Sequence, residues 1–194
     1  MKIIGISGVA TSGKDTLCSL IARHLNSKNI KSQRLALADN LKNDLKSFIC
    51  DKFDINIIEA SSQEKSLIRP IMVAYGKTKR ILSKGKHWTD MLDKEIEELL
   101  NQKIVPIITD VRYMEYPEDE FFWLKSRNGI LIHISRLDIN GNLITPANLE
   151  EKENDVKIKE KADLKLIWET EDDIDSLYYS HLNFLKNIYE QITL

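Results

Sequence analysis

The chain has 194 residues, with 28 lysines and arginines against 30 aspartates and glutamates, and a formal net charge of -2. At 42% hydrophobic and 30% charged, its composition is that of a globular domain long enough for a full core, and it suggests neither disorder nor a membrane protein. The near balance of charge leaves no overall basic footprint for nucleic acid, so small ligands are expected.

The first stretch, Lys2 to Thr16, reads as an apolar strand, a glycine-bounded turn, a lysine and the start of a helix. Gly8 and Gly13 let the backbone bend so that the N–H groups of Val9, Ala10, Thr11 and Ser12 turn inward toward a polyphosphate. The helix adds its positive N-terminal end, and Lys14 a mobile point charge. Gly8 to Lys14 has the G-x-x-x-x-G-K spacing of a Walker A motif, with Asp15 in the usual Ser/Thr place and Thr16 after it. A carboxylate there repels phosphate unless magnesium lies between them, which makes Asp15 and Thr16 the first metal candidates. The bland alternative is a turn that binds nothing, with Asp15 and Thr16 serving only as helix-start residues. A dinucleotide-binding turn needs G-x-G-x-x-G, which Gly5, Gly8 and Gly13 do not supply.

Leu17, Leu20, Ile21 and Leu25 continue the helix, and Ser32 to Ala38 reads as a second strand ending at Asp39. From 40 to 103 the pattern is helical: Leu41 to Ile49, Ile68 to Leu82, and Trp88 to Leu100, expected as an insertion within a single domain spanning 1–194. Ile104 to Asp110 is a third strand closing on an acid, as a Walker B strand does, with Pro106 at its beginning. Pro117 to Arg127 predicts a helix and Ile130 to Ser135 a fourth strand. Asn140-Gly141 marks a turn, and the acid-base run from Glu150 to Lys161 reads as a solvated helix or as a lid over 137–161. Leu164 to Trp168 is a fifth strand, and Ile174 to Tyr189 one closing helix. Such alternation predicts an α/β fold: a five-stranded parallel sheet flanked by helices, with the cradle after its first strand. Cys18 and Cys50 lack any C-x-x-C or histidine pairing and are expected as buried apolar residues in a reducing, cytoplasmic setting. The short apolar N-terminal run fits a strand better than a signal peptide, and no stretch reads as a transmembrane span.

Phosphoryl transfer needs a cradle, magnesium and converging arginines. Asp110 is placed to hold magnesium and Arg112 to grip an acceptor phosphate, or the two form a structural pair. Arg69, Lys77 and Arg80 lie in the helical insertion, where an acceptor would be held. Trp88 either stacks on a base or anchors the core there.

Together these pieces resemble the deoxynucleoside monophosphate kinase family of bacteriophages and related bacterial and viral sequences. The cradle Ile6 to Thr16 is similar to its S-G-x-x-x-S-G-K-D-T, and Ala38-Asp39-Asn40-Leu41-Lys42 to its A-D-P-L-K. Arg69 to Gly76, with Arg80 and Trp88 beyond, resembles its R-x-L-L-Q-x-x-G stretch with an arginine and a tryptophan after it. Asp110 to Tyr113 is similar to its D-V-R-F, and Ala162-Asp163 fits before the last strand. Val73 stands where the family often has Gln, and Glu115-Tyr116 where Asn-Glu is common. The resemblance implies a P-loop NTPase fold of the nucleoside monophosphate kinase type, with a helical acceptor-binding insertion at 40–103 and a lid. It implies ATP and a nucleoside monophosphate as substrates, with magnesium. Lys14 and the Gly8 to Thr16 backbone would hold ATP phosphates, with Arg136 at the lid. Asp39, Arg69, Gly76, Arg80, Trp88, Asp110 and Arg112 would surround the acceptor; a homodimer is compatible. SGKD-type phosphomevalonate kinases share the opening, which keeps a non-nucleotide acceptor as the alternative. A nucleotide-binding protein without turnover is another, and a GTPase-type switch lacks its D-x-x-G and N-K-x-D here.

Overall fold

The computed structural model describes residues 1–146, 148–169, 171 and 173–193. Five parallel strands, β1 (Ile4–Ser7), β2 (Ser32–Leu35), β3 (Val105–Ile108), β4 (Ile130–Leu137) and β5 (Leu164–Glu169), pair in the order β2-β3-β1-β4-β5. The helices are α1 (Lys14–Asn26), α2 (Leu37–Phe53), α3 (Ser62–Leu82), α4 (Lys86–Asn101), α5 (Glu120–Ser126), α6 (Leu149–Lys161), α7 (Ile174–Ser180) and α8 (Leu182–Thr193). Every residue of β1 and β3 is buried, as expected of parallel strands covered on both faces, whereas edge strand β5 alternates buried and exposed.

One face of the sheet packs Ile4, Ile6, Ile107 and Ile132 against α1, α7 and α8 through Leu17, Ile21, Leu177 and Leu185. The other packs Ile3, Ile108 and Leu131 against α4, α5 and α6 through Leu92, Ile96, Leu124 and Ile158. Each fully buried isoleucine or leucine contributes roughly 1.5–3 kcal/mol relative to exposure. Leu45 and Ile49 of α2 meet Ile68 of α3 in a smaller separate cluster. Thus α4 belongs to the flank of the sheet, while α2 and α3 carry a core of their own. Among the described residues no helix is long and apolar enough to cross a membrane.

Several expected boundaries move. Strand β2 stops at Leu35, and Asp39 lies in the first turn of α2. Helix α3 begins at Ser62, ahead of the expected Ile68, because Ser61 and Glu64 form a reciprocal capping box, and it runs through Pro70. Pro106 sits in an internal strand. Val105 and Thr109 donate to β2-side carbonyls, those of Lys31 and Leu35, which turns position 106 toward β1, one residue before the first β1-β3 register pair, Ile4 with Ile107. The missing N–H therefore falls below the ladder. Pro117 lies in a turn, and α5 starts three residues later at Glu120. The single closing helix is two helices: the Leu177 carbonyl accepts from the His181 ring and the Ser180 hydroxyl, and the helix ends there. Cys18 is buried but Cys50 is exposed, contrary to the expectation for the second cysteine.

Candidate functional site

The β1-α1 loop lies at the carboxyl end of the central strand, where parallel sheets place their ligand sites. Its two glycines are required. Gly8 has φ 145° and a Cβ there would meet the Ile134 carbonyl oxygen at 2.4 Å; Gly13 has φ 91° and its Cβ would meet the Trp168 ring at 2.4 Å. Trp168 also donates its indole N–H to the Ser12 carbonyl at 3.0 Å, so one side chain props the loop by shape and by hydrogen bond. Thr11 takes a positive φ of 64° at the loop's tip. Val9 is buried and its carbonyl accepts from the Ser12 N–H at 3.2 Å.

Lys14 folds back to donate to the carbonyls of Gly8 (2.8 Å) and Val9 (2.7 Å). Burial, with the Arg112 charge second, pulls its ammonium down to about 8. Arg136 reaches the Thr11 carbonyl at 3.3 Å. The N–H of Ala10 holds an anion already: Glu151 of α6 accepts from it at 3.0 Å. Helix α6 is therefore not the simple solvated helix of its charge pattern. Glu150 pairs with Lys77 at 2.8 Å, Asp155 with the His133 ring at 2.9 Å, Lys159 donates to the Ser135 hydroxyl at 3.0 Å, and Asn154 and Ile158 are buried.

At the end of β3, Asp110 accepts from the N–H groups of Leu37 (2.9 Å) and Ala38 (2.8 Å) and so ties down the start of α2. Burial pushes its carboxyl up, against the pull of those bonds. Two residues on, the Arg112 and Tyr113 N–H groups both donate to Glu120, the latter at 3.1 Å. Burial and the Asp110 charge raise Glu120 to about 8.

Two adjoining cavities open here. The larger, about 730 Å³, lies between α2 and α3, with Leu41, Ile68, Met72 and Trp88 in its walls and Thr11, Asp110 and Arg112 at the loop end. The smaller, about 130 Å³, lies between Gly8 and α6, bounded by Glu150, Glu151 and Asn154. Arg69, Lys77, Arg112 and Tyr113 line both. Arg69 and Arg112 are exposed, and neither side chain makes a hydrogen bond or ion pair among the described residues.

The remaining expected site residues are more heavily engaged. Arg80 lines the large cavity, yet it is buried and held by both oxygens of Asp119 (2.8 and 2.7 Å) and by Glu115 (2.8 Å), with the Tyr113 ring 3.9 Å away. Trp88 is 5% exposed and donates to the Gly76 carbonyl at 3.2 Å, so it is both core and cavity wall. A Cβ on Gly76 would meet Leu41 at 2.6 Å, which makes that glycine the point of close approach of α3 to α2. Asp39 is paired with Arg34 (3.0 Å) and Lys42 (2.8 Å); burial opposes its charge, but those bonds hold its carboxyl below the usual range. Asp15 is exposed and also paired with Arg34, at 2.8 Å.

Of the three expected magnesium ligands, Asp15 fits least, because the Arg34 guanidinium already occupies its carboxylate and repels a cation. Thr16, in the first turn of α1, and Asp110, whose oxygens each keep a second lone pair beside their single N–H, fit as hydroxyl and carboxylate donors. No cluster of three or more histidines, cysteines or carboxylates suited to a metal occurs among the described residues.

Sequence reasoning missed Arg34, Glu120, Glu151 and Trp168. Glu151 was hidden in a run of like residues, and Glu120 lies beyond the end of the Asp110 to Tyr113 motif with no spacing signal to tie it back. Trp168 read only as a strand residue. No protein-family model matches this chain, and the search of curated proteins finds no match.

Proposed function

We propose that the chain is an ATP-dependent kinase on a P-loop fold that phosphorylates a nucleoside or deoxynucleoside monophosphate to the diphosphate. The observation that carries this reading is the adjacency of the lysine-bearing glycine loop to two joined cavities whose shared wall holds Arg69 and Arg112. A polyphosphate on the loop would take the place of the Glu151 carboxylate at the Ala10 N–H. Lys14 would exchange the Gly8 and Val9 carbonyls for phosphate oxygens. The acceptor would enter the larger cavity, its base against Leu41, Met72 and Trp88 and its phosphate toward the two arginines.

In this reading the residues position and neutralise more than they react, as phosphoryl transfer requires. Arg69 and Arg112 draw donor and acceptor phosphates together and offset charge on the transferring group. Magnesium, held by Thr16 and Asp110, would supply further neutralisation of the polyphosphate when bound. Helix α6 and the described residues before it would serve as the lid expected over 137–161, of which residue 147 lies outside the described residues, and would exclude water, a competing acceptor. Asp110 keeps α2 in register with the loop, and within the expected 40–103 insertion it is α2 and α3, with Trp88 at the start of α4, that would make the acceptor-binding part.

The apolar walls of the larger cavity also suit a phosphorylated metabolite without a base, which makes a phosphomevalonate kinase-like activity the second reading. The test is ADP release from ATP and magnesium with each ribo- and deoxyribonucleoside monophosphate, against a blank without acceptor. Stimulation by particular monophosphates, with the matching diphosphate formed, supports the nucleotide reading. Stimulation only by phosphorylated metabolites moves the chain to the second.

A further inference from the structure

Arg112 is aimed without any anchor on its side chain. The guanidinium makes no hydrogen bond or ion pair among the described residues, so the backbone that carries it sets only the point from which it reaches both cavities. That backbone is gripped from both sides. Val111 donates to the Ile6 carbonyl of β1 at 3.2 Å, and the Tyr113 carbonyl accepts from Phe121 of α5 at 3.1 Å. Between these two bonds, the N–H groups of Arg112 and Tyr113 converge on one oxygen of Glu120.

Glu120 is 6% exposed, and a carboxylate so placed costs free energy unless its surroundings repay the lost water. Its hydrogen-bond partners are backbone donors, not a side-chain cation. Asp110, two residues before Arg112, is engaged in the same manner with α2. The two buried acids thus bracket the turn, one fixing the wall of the larger cavity and the other fixing the arginine at the junction of both.

We propose that Glu120 is the positioning residue for Arg112: its buried carboxyl holds the turn after β3 so that the arginine's backbone stays where its side chain can reach the junction of the two cavities. The proposal rests on the kinase reading for its kinetic consequence but not for its geometry. Removing the carboxyl leaves two part-buried N–H groups without their acceptor and lets the turn relax, and displacement of a charge-stabilising group by about 1 Å costs on the order of a hundredfold in rate.

The experiment compares Glu120→Ala, Glu120→Gln, Arg112→Ala and the double variant Glu120→Ala/Arg112→Ala. The expected result is that Glu120→Ala lowers kcat by about 10- to 100-fold with KM for ATP changed less than about twofold. Glu120→Gln, which keeps an acceptor oxygen, restores most of that loss, and the double variant is no slower than Arg112→Ala alone. Multiplicative losses in the double variant would overturn the proposal, since Glu120 would then act independently of Arg112. If Glu120→Ala does not fold, Glu120→Asp carries the same cycle with its arm one methylene shorter. A wild-type protein that transfers phosphate to no acceptor would sink the kinase reading alone. In that case an NMR titration with inorganic phosphate decides the proposal: equal weakening in Glu120→Ala, Arg112→Ala and the double variant supports it, and unchanged binding in Glu120→Ala contradicts it.

Discussion

Arg80 and Arg112 line the same cavity, and the sequence offered both as acceptor-binding charges. Their surroundings separate them. Arg80 is buried, gripped by Asp119 and Glu115 and covered by the rings of Tyr113 and Tyr116. Arg112 is exposed, and its guanidinium has no hydrogen-bond or ion-pair partner among the described residues. A guanidinium already neutralised by two carboxylates has little left to offer a phosphate, whereas an open one retains its full charge for a ligand. Arg80 therefore reads as a rivet between α3 and the 115–119 turn, and Arg112 as the charge left open, the one that the proposed function assigns to phosphate.

The largest effect that would break this comparison comes from Arg80. Arg80→Met leaves the fully buried Asp119 carboxylate without its cation and should cost about 3–5 kcal/mol in a urea denaturation experiment. Unchanged stability would make Arg80 a free ligand-binding charge after all. Arg112→Ala should do the opposite. Its turnover should fall by roughly a hundredfold, while its unfolding free energy stays within about 0.5 kcal/mol of wild type. Near-normal kinetics in that variant would remove Arg112 from the proposed chemistry.

Titration sharpens the contrast further. Glu120 is raised from its ordinary 4.5 to about 8, chiefly by burial and then by the Asp110 charge, with the Arg112 N–H bond and charge opposing and Asp119 adding a little. The folded protein then holds the proton more tightly than the unfolded chain, so this group makes stability fall as pH rises from about 4.5 to 8. Lys14 acts in a different window. Lowered from 10.5 to about 8, it makes stability rise as pH goes from about 8 to 10.5. Glu120→Gln should flatten the acidic-side decline and leave the alkaline rise, as read from thermal midpoints across pH; an unaltered decline would assign it to other groups. The smallest effect belongs to Glu151. Glu151→Gln weakens the anion already seated on the Ala10 N–H and should raise the affinity for ATP about two- to fivefold by calorimetry, the worth of one half-exposed charged contact. A weaker affinity would mean that Glu151 helps the ligand and does not compete with it.

The same pair of arginines shows what a sequence can disclose. The loop from Gly8 to Lys14 was legible because its geometry is local: two glycines at positive φ and a lysine at fixed spacing need no distant partner to be recognised. That five strands form one parallel sheet followed from alternation of apolar runs with helical patterns, and Asp110 from its place at the end of one such run, whereas the order of the strands across the sheet did not. Whether a charge is open or neutralised was not legible, because its partners lie far along the chain. Asp119 is 39 residues from Arg80, and Glu151 is 141 from Ala10. Apolar periodicity says nothing about such pairings. Boundaries failed where side chains overrode pattern, as at His181, where the ring takes the Leu177 carbonyl and one predicted helix becomes two.

The most direct test of the account is transfer of labelled phosphate from γ-labelled ATP to a panel of nucleoside monophosphates by the wild-type chain and by Lys14→Ala, each first checked to be folded. Labelled diphosphate is expected from the wild type with at least one monophosphate, and a loss of about a hundredfold or more in the variant. Equal transfer by both proteins would contradict the loop's assigned role. No labelled diphosphate from a folded wild type with any monophosphate would contradict the kinase reading itself.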